Sequence, residues 1–173
     1  VSGVVKVLAL DRETFIAVKG AQDEQEPTNN LKSITCSRQD LQALGLLGCG
    51  GFGAVSLVKS RQLGQTFARK ALLKGHVLQQ RQELSVMNEK RSLRMTNSRC
   101  IVRLAATFNT PQHLMLLLEP ALNSEVFTVY LHQGLHGSVE HARVYVACIT
   151  KAFEHLHQRH ALYRDLKPEN LLL

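Results

Sequence analysis

Asp165, Lys167 and Asn170 lie on one short stretch, Tyr163-Arg164-Asp165-Leu166-Lys167-Pro168-Glu169-Asn170. A carboxylate, an ammonium and an amide at these offsets suit transfer of a phosphoryl group to a hydroxyl. The carboxylate positions and deprotonates the attacking hydroxyl. The ammonium sits near the transferring group, and the amide oxygen is a ligand for magnesium.

A second set of residues lies upstream. Gly48-Cys49-Gly50-Gly51-Phe52-Gly53-Ala54-Val55 fits the pattern G-x-G-x-x-G-x-V. Glycines there let the backbone approach phosphate oxygens and donate N–H bonds where a side chain would clash. Dinucleotide-binding folds use the same glycine spacing, but at the start of a helix. Here apolar alternation resumes at once with Val55 and Leu57, so the loop is expected to join two strands as a hairpin. Lys70, in Phe67-Ala68-Arg69-Lys70 on the next strand, follows Gly53 by seventeen residues, and Glu89 follows Lys70 by nineteen. A Lys–Glu pair between that strand and a following helix would hold the ammonium against the α- and β-phosphates of ATP.

The elements that position these groups can be read from periodicity and propensity. Leu44–Leu47 leads into the glycines, Ala54–Val58 and Thr66–Leu73 read as strands, and residues 78–95 read as one helix free of Pro and Gly. Ile101–Phe108 and His113–Leu118 read as two further strands, with Asn109 and Pro111 marking the turn. A long helix follows, capped by Ser138, with Val139, Ala142, Val146, Ile149, Phe153 and Leu156 as its apolar stripe. Upstream, Val4–Leu10 reads as a strand and Asp11 as the cap of a short helix, while residues 21–30 are polar and broken by Pro27, as in a linker.

With these motifs in order, the stretch from Asp40 to Leu173 resembles the first half of a serine/threonine protein kinase domain. Tyr163–Asn170 matches H-R-D-L-x-x-x-N with Tyr in place of His, and Phe67–Lys70 occupies the place of V-A-I-K. The wording Y-R-D-L-K-P-E-N and N-E-K around Glu89 is similar to the cyclic-nucleotide-dependent group. LGCGGFGAVSLVK, TFARKALLKGHV and IVRLAATFNT resemble the cGMP-dependent kinases most. Residues Val4–Phe15 resemble the last strand and helix of a cyclic-nucleotide-binding domain.

The resemblance implies an α+β, protein-kinase-like fold: an antiparallel-sheet N-lobe with one main helix, then the first helices and catalytic loop of an incomplete helical C-lobe. It divides the chain into a cyclic-nucleotide-binding remnant at 1–20, a linker at 21–39 and the kinase segment at 40–173. It implies ATP and Mg2+ as cofactors, protein substrates with basic residues near the target Ser or Thr, and cGMP acting through upstream domains. Asp165, Lys167, Lys70 and Glu89 carry catalysis in this reading, with Asn170 on the metal. The ATP site takes Gly48, Cys49, Gly50, Gly51, Phe52, Gly53 and Lys70 around the phosphates, and Val55 and Ala68 on the adenine faces. Leu118 guards the back of the pocket, Glu119 and Ala121 offer hinge backbone groups, and Glu125 meets the ribose and a basic substrate residue. Two departures stand out. Asn123-Ser124 replaces the usual Gly-Gly of the hinge, and Arg69 replaces an apolar residue, pointing away from the nucleotide by strand alternation.

Several other readings weigh less. The net charge of +7 is concentrated between Lys59 and Arg103, where eleven Lys or Arg face two Glu. Such a stripe fits phosphate backbones, but Trp is absent, aromatics make up 5%, and no stacking platform or zinc-finger spacing accompanies it, so no nucleic-acid partner is expected. His155, His157 and His160 form a cluster in which no nearby Cys or carboxylate completes a metal sphere. Cys36, Cys49, Cys100 and Cys148 are widely spaced, which argues for a reducing, cytoplasmic setting, and no apolar run reaches the ~18 residues of a membrane span. The chain ends three residues after Asn170, ahead of where D-F-G and the activation loop are expected, so inefficient phosphorylation by this stretch alone is the expectation. The alternatives are a non-catalytic kinase-like scaffold or another kinase of the same group.

Overall fold

The computed structural model describes residues 6–7, 36–50, 53–122 and 125–173. Strand β1 (Lys6–Val7) is followed by β2 (Leu41–Gly50), β3 (Gly53–Ser60) and β4 (Thr66–Leu73), then helices α1 (Lys74–Gln79) and α2 (Glu83–Met95). Strands β5 (Leu104–Asn109) and β6 (His113–Leu118) lead to α3 (Val126–Gln133), α4 (Val139–His157) and the short strand β7 (Leu171–Leu172). Five strands form one antiparallel sheet in the order β2-β3-β4-β6-β5. An antiparallel sheet followed by helices is the α+β arrangement expected above.

Strand alternation divides the sheet into two apolar faces. On one, Ala68, Leu116 and Leu118 pack with Leu93 of α2 and with Val102, while Leu72 packs with Val77 of α1 and Val86 of α2. On the other, Val58, Phe67 and Leu117 form a buried cluster with Phe108 and Leu41 at its edge. At the end of the β2–β3 pair remote from the glycines, the Asp40 carboxylate accepts from the Ser60 hydroxyl and, at 2.8 Å, from the Gln62 N–H. The hydroxyl bond, followed by the backbone contacts, holds the Asp40 carboxyl below the usual carboxylate range against the opposing effect of desolvation.

The helical part has its own core. Tyr145, Ala152 and Leu156 of α4 pack with Val126 of α3, Ala161 and Leu171. Ile101, from the segment between α2 and β5, is buried in this same cluster, so that segment anchors the helices to the sheet. Strand β7 pairs with β1, Val7 opposite Leu171 and Lys6 opposite Leu172, and Glu125 bridges to Leu172.

Four sequence expectations are corrected. The single helix over 78–95 is two helices. The N–H of Arg81 bonds the Leu78 carbonyl and the N–H of Gln82 bonds that of Val77, with Arg81 at φ 52°. This pair of bonds is a Schellman closure, usually signalled by glycine, and arginine there gives no such signal. Helix α3 was not anticipated; its sequence VFTVYLHQ is rich in β-branched and aromatic residues, and packing on α4 with a left-handed Gly134 cap makes it helical. On α4, Val139, Ala142 and Val146 of the expected stripe are exposed, Val139 at 63% and Val146 at 59%. The second half of the expected stripe does reach the core, with Leu156 buried and Ile149 and Phe153 packed partly buried against it, whereas in the first half of the helix Tyr145, one residue before Val146, is the buried position. Finally, the strand expected from Ile101 begins at Leu104, since Ile101 and Val102 are drawn into the two cores. The strand expected at Val4–Leu10 is described only at Lys6–Val7, and the helix after Asp11 and the linker at 21–30 lie outside the described residues.

Candidate functional site

The glycine segment is the tip of a hairpin, as the resumption of alternation at Val55 required. Gly48 pairs with Val55, Cys49 with Ala54 and Gly50 with Gly53; Gly51 and Phe52 lie outside the described residues. The glycines differ in what holds them. A Cβ on Gly53 would lie 1.8 Å from the Ala71 carbonyl oxygen of the neighbouring strand, and its φ is 155°. Gly48 and Gly50 meet nothing within 4 Å. Gly53 is thus demanded by the sheet itself, whereas Gly48 and Gly50 border open space.

β3–β4 pairing sets Val55 opposite Lys70, and β4–β6 pairing sets Lys70 opposite Leu116. From that face the Lys70 ammonium reaches α2, where Nζ donates to both carboxylate oxygens of Glu89 at 2.8 and 3.0 Å. The Glu89 side chain is only 8% exposed, against 23% for Lys70. A carboxylate so deeply desolvated needs a cation, and Lys70 supplies it. Arg69 points to the opposite face, as alternation predicted, where its Nε is buried with no hydrogen-bond partner among the described residues.

Val55 and Ala68 sit next to Leu118 in one apolar cluster on the Lys70 face. Beyond Leu118 the chain turns at Glu119, whose N–H donates to the Arg103 carbonyl at 2.9 Å and whose carboxylate accepts from Arg103 Nε at 3.3 Å. That N–H is therefore committed within the protein. Ala121 is half-buried just beyond, and Asn123-Ser124 lie outside the described residues. Glu125 opens α3 and bridges to Leu172, two residues after Asn170, which brings it beside the second half of the site.

That second half follows α4. The Asp165 carboxylate accepts from Asn170 Nδ2 at 2.8 Å, and the same amide nitrogen donates to the Asp165 carbonyl at 2.9 Å. Lys167 Nζ lies 3.2 Å from Oδ2 of the Asp165 carboxylate, the oxygen that also accepts from Asn170. Asn170 is buried and its amide nitrogen is spent on Asp165, which orients the amide oxygen as the acceptor of the pair. An oxygen from an amide beside a carboxylate is the hard donor set that magnesium prefers, so these residues fit that ion. The three groups singled out on this loop do lie together.

Other candidates behave as ordinary structure. His157 stacks on Phe153 at 6.0 Å, His160 closes α4 at φ 55°, and among the described residues no group of three His, Cys, Asp or Glu is gathered for a metal. All four cysteines are free. No helix among the described residues is long and apolar enough to cross a membrane.

Comparison with known proteins agrees with this geometry. The family model described as protein kinase domain matches residues 41–173. Among curated proteins, cGMP-dependent protein kinase, isozyme 2 forms cD5/T2 of Drosophila melanogaster is 34% identical over 183 residues, covering 98% of this chain and 19% of the relative. The cGMP-dependent protein kinase egl-4 of Caenorhabditis elegans is 36% identical over 98% of this chain and 25% of its own length. The human cGMP-dependent protein kinase 2 is 39% identical over 78% of this chain and 18% of its own length. The chain thus spans a quarter or less of the length of these relatives.

Proposed function

Because the chain belongs to the protein kinase domain family, we propose that it supplies the ATP-binding half and the catalytic loop of a serine/threonine protein kinase of the cGMP-dependent type. The observation that carries this reading is the two-oxygen contact between Lys70 and Glu89. It fixes an ammonium on the sheet face that also bears Val55, Ala68 and Leu118, where a nucleotide would find a cation for its phosphates and an apolar seat for its base.

In this reading the backbone of Gly48, Cys49, Gly50, Gly51, Phe52 and Gly53 covers the phosphates, and the Glu119 carbonyl with the Ala121 backbone meets adenine. Glu125 takes the ribose hydroxyls and a basic residue of the protein substrate. Asp165 orients the substrate hydroxyl and accepts its proton as the oxygen attacks, and Lys167 offsets charge on the transferring group. Asn170 would hold Mg2+ through its amide oxygen; when bound, that ion neutralises charge on the phosphate oxygens. Asn170 has a second task, because its Nδ2 fixes the rotation of the Asp165 carboxylate.

The named activity of the relatives, dependence on cGMP, is proposed here as regulation of the same site from outside residues 40–173. Relatives align over 98% of the chain, hence upstream of Leu41 too. This supports assigning residues 1–20 to the end of a cyclic-nucleotide-binding domain and 21–39 to a linker. A cytoplasmic setting accords with the free cysteines.

The test is Asp165→Asn in the protein, assayed for ATP binding and for phosphorylation of a basic peptide. ATP affinity should hold while turnover falls by about 10²- to 10⁴-fold, the usual contribution of a positioned base. Unchanged turnover would remove Asp165 from the mechanism.

A further inference from the structure

The helix that carries Glu89 and the helix that leads into the catalytic loop are tied together by a contact outside the site. Just past the end of α2, the Asn97 N–H donates to Nε2 of His155 on α4 at 3.0 Å. The Met95 carbonyl, at the last residue of α2, accepts from Nε of Arg159 at 2.9 Å. Arg159 also donates to the His155 carbonyl at 3.1 Å, and its Nη1 lies 3.3 Å from Nδ1 of the same imidazole.

An imidazole nitrogen accepts a hydrogen bond only while it carries no proton. The Asn97 N–H is a fixed donor, so a proton on Nε2 would set two hydrogens against each other. With Nε2 bare, the neutral ring carries its proton on Nδ1, so Arg159 Nη1 at 3.3 Å is a charged neighbour of that nitrogen and not a donor to it, and its charge opposes a second proton on the ring. On α2 the carboxylates are Glu83, in the first turn, and Glu89, which is bound to Lys70, while every charged residue from Lys90 to Arg103 (Lys90, Arg91, Arg94, Arg99, Arg103) is basic. On α4, the carboxylate next to it in sequence is Glu154, which is bound to Lys151 at 2.7 Å; His157 is turned to Phe153.

We propose that His155 is a positioning residue whose neutral ring latches Asn97, holding the tail of the Glu89-bearing helix onto the helix of the catalytic loop, and that protonation releases this latch. Burial first, and then the charge of Arg159, hold the His155 pKa below the usual imidazole value. The folded protein therefore binds this proton less readily than the unfolded chain. The latch is complete at and above the ordinary histidine range and is lost as pH falls through the lowered value. The consequence for phosphoryl transfer rests on the kinase reading; the latch itself does not.

The experiment is amide hydrogen exchange on the full 173-residue chain, expressed as protection factors between about pH 7.5 and about pH 5. Protection of Asn97 and of the α2 amides from Glu89 to Met95 should fall together by about five- to ten-fold on acidification, the loss of one hydrogen bond. In His155→Gln, whose amide oxygen accepts from the same N–H without titrating, protection should stay level. Level protection in the parent chain, or the same fall in His155→Gln, would overturn the proposal; so would loss at Asn97 with no response from α2. If the variant does not fold, the ring nitrogen shifts of the parent decide. A bare Nε2 at neutral pH supports the latch, and a protonated one removes it. None of these readouts needs turnover, so an inactive protein would count against the kinase reading alone.

Discussion

Replacing Lys70 by Met tests the central contact through stability, independently of catalysis. The pair spans 2.8 Å, for which the gross attraction at an effective dielectric near 20 is about 6 kcal/mol. Desolvation offsets much of that, and the informative quantity is what remains when one partner leaves. Glu89 is 8% exposed, so a carboxylate left there without its lysine costs roughly 3–5 kcal/mol. Lys70 is 23% exposed, water reaches its ammonium, and the lower end, about 3 kcal/mol, is the expectation. Met keeps most of the apolar stem, so little of this loss is packing. Glu89→Gln alone should cost about 1–2 kcal/mol, because the lysine left behind is closer to solvent. In the double variant no charge of the pair remains, and its loss should fall short of the sum of the two single losses by about 2 kcal/mol. Urea unfolding of the parent, both single variants and the double variant gives the cycle, with an unchanged m-value as its control. A coupling below about 0.5 kcal/mol would refute the reasoning, for it would mean that Lys70 and Glu89 do not depend on each other.

Two further outcomes are expected. Gly53→Ala places a methyl 1.8 Å from the Ala71 oxygen, so β3 and β4 must part at the hairpin tip; unfolding should become easier by at least about 2 kcal/mol, and unaltered stability in denaturant titration would show that the strand approach is looser than described. Arg69→Leu removes a buried, unpartnered Nε beside the fully buried Leu117, and should raise stability by about 1 kcal/mol; a thermal melt at or below that of the parent would count against it.

The parts of the site that were legible in the sequence are those fixed by short-range geometry. A hairpin with glycines at its tip has its register set by alternation, and so Val55, Lys70 and Leu118 were bound to share a face. The loop from Tyr163 to Asn170 is contiguous, so Asp165 and Asn170 could hardly avoid each other. What escaped detection depended on partners distant in sequence or on residues that break no rule when read alone. Arg81 and His160 take left-handed conformations that close α1 and α4, yet neither residue type announces a helix end as glycine does. The helical state of α3 comes from its partners in the core, overriding a sequence with strand preference. On α4 the first half of the apolar stripe is exposed and the second half packs in the core, a division set by partners such as Val126, Ile101 and Leu171 that lie far off in sequence. The pairing of Lys6–Val7 with Leu171–Leu172 joins the two ends of the chain, and no local pattern encodes it.

Gly48 and Gly50 present a different kind of vulnerability from Gly53. Among the described residues nothing occupies the volume where their side chains would be, so the described scaffold offers no obstacle to filling it. A methyl or hydroxymethyl group at either position would intrude only on whatever comes to lie under the hairpin. Such substitutions offer a steric plug that leaves the scaffold untouched, separating the question of whether a nucleotide is held from the question of whether the molecule is intact.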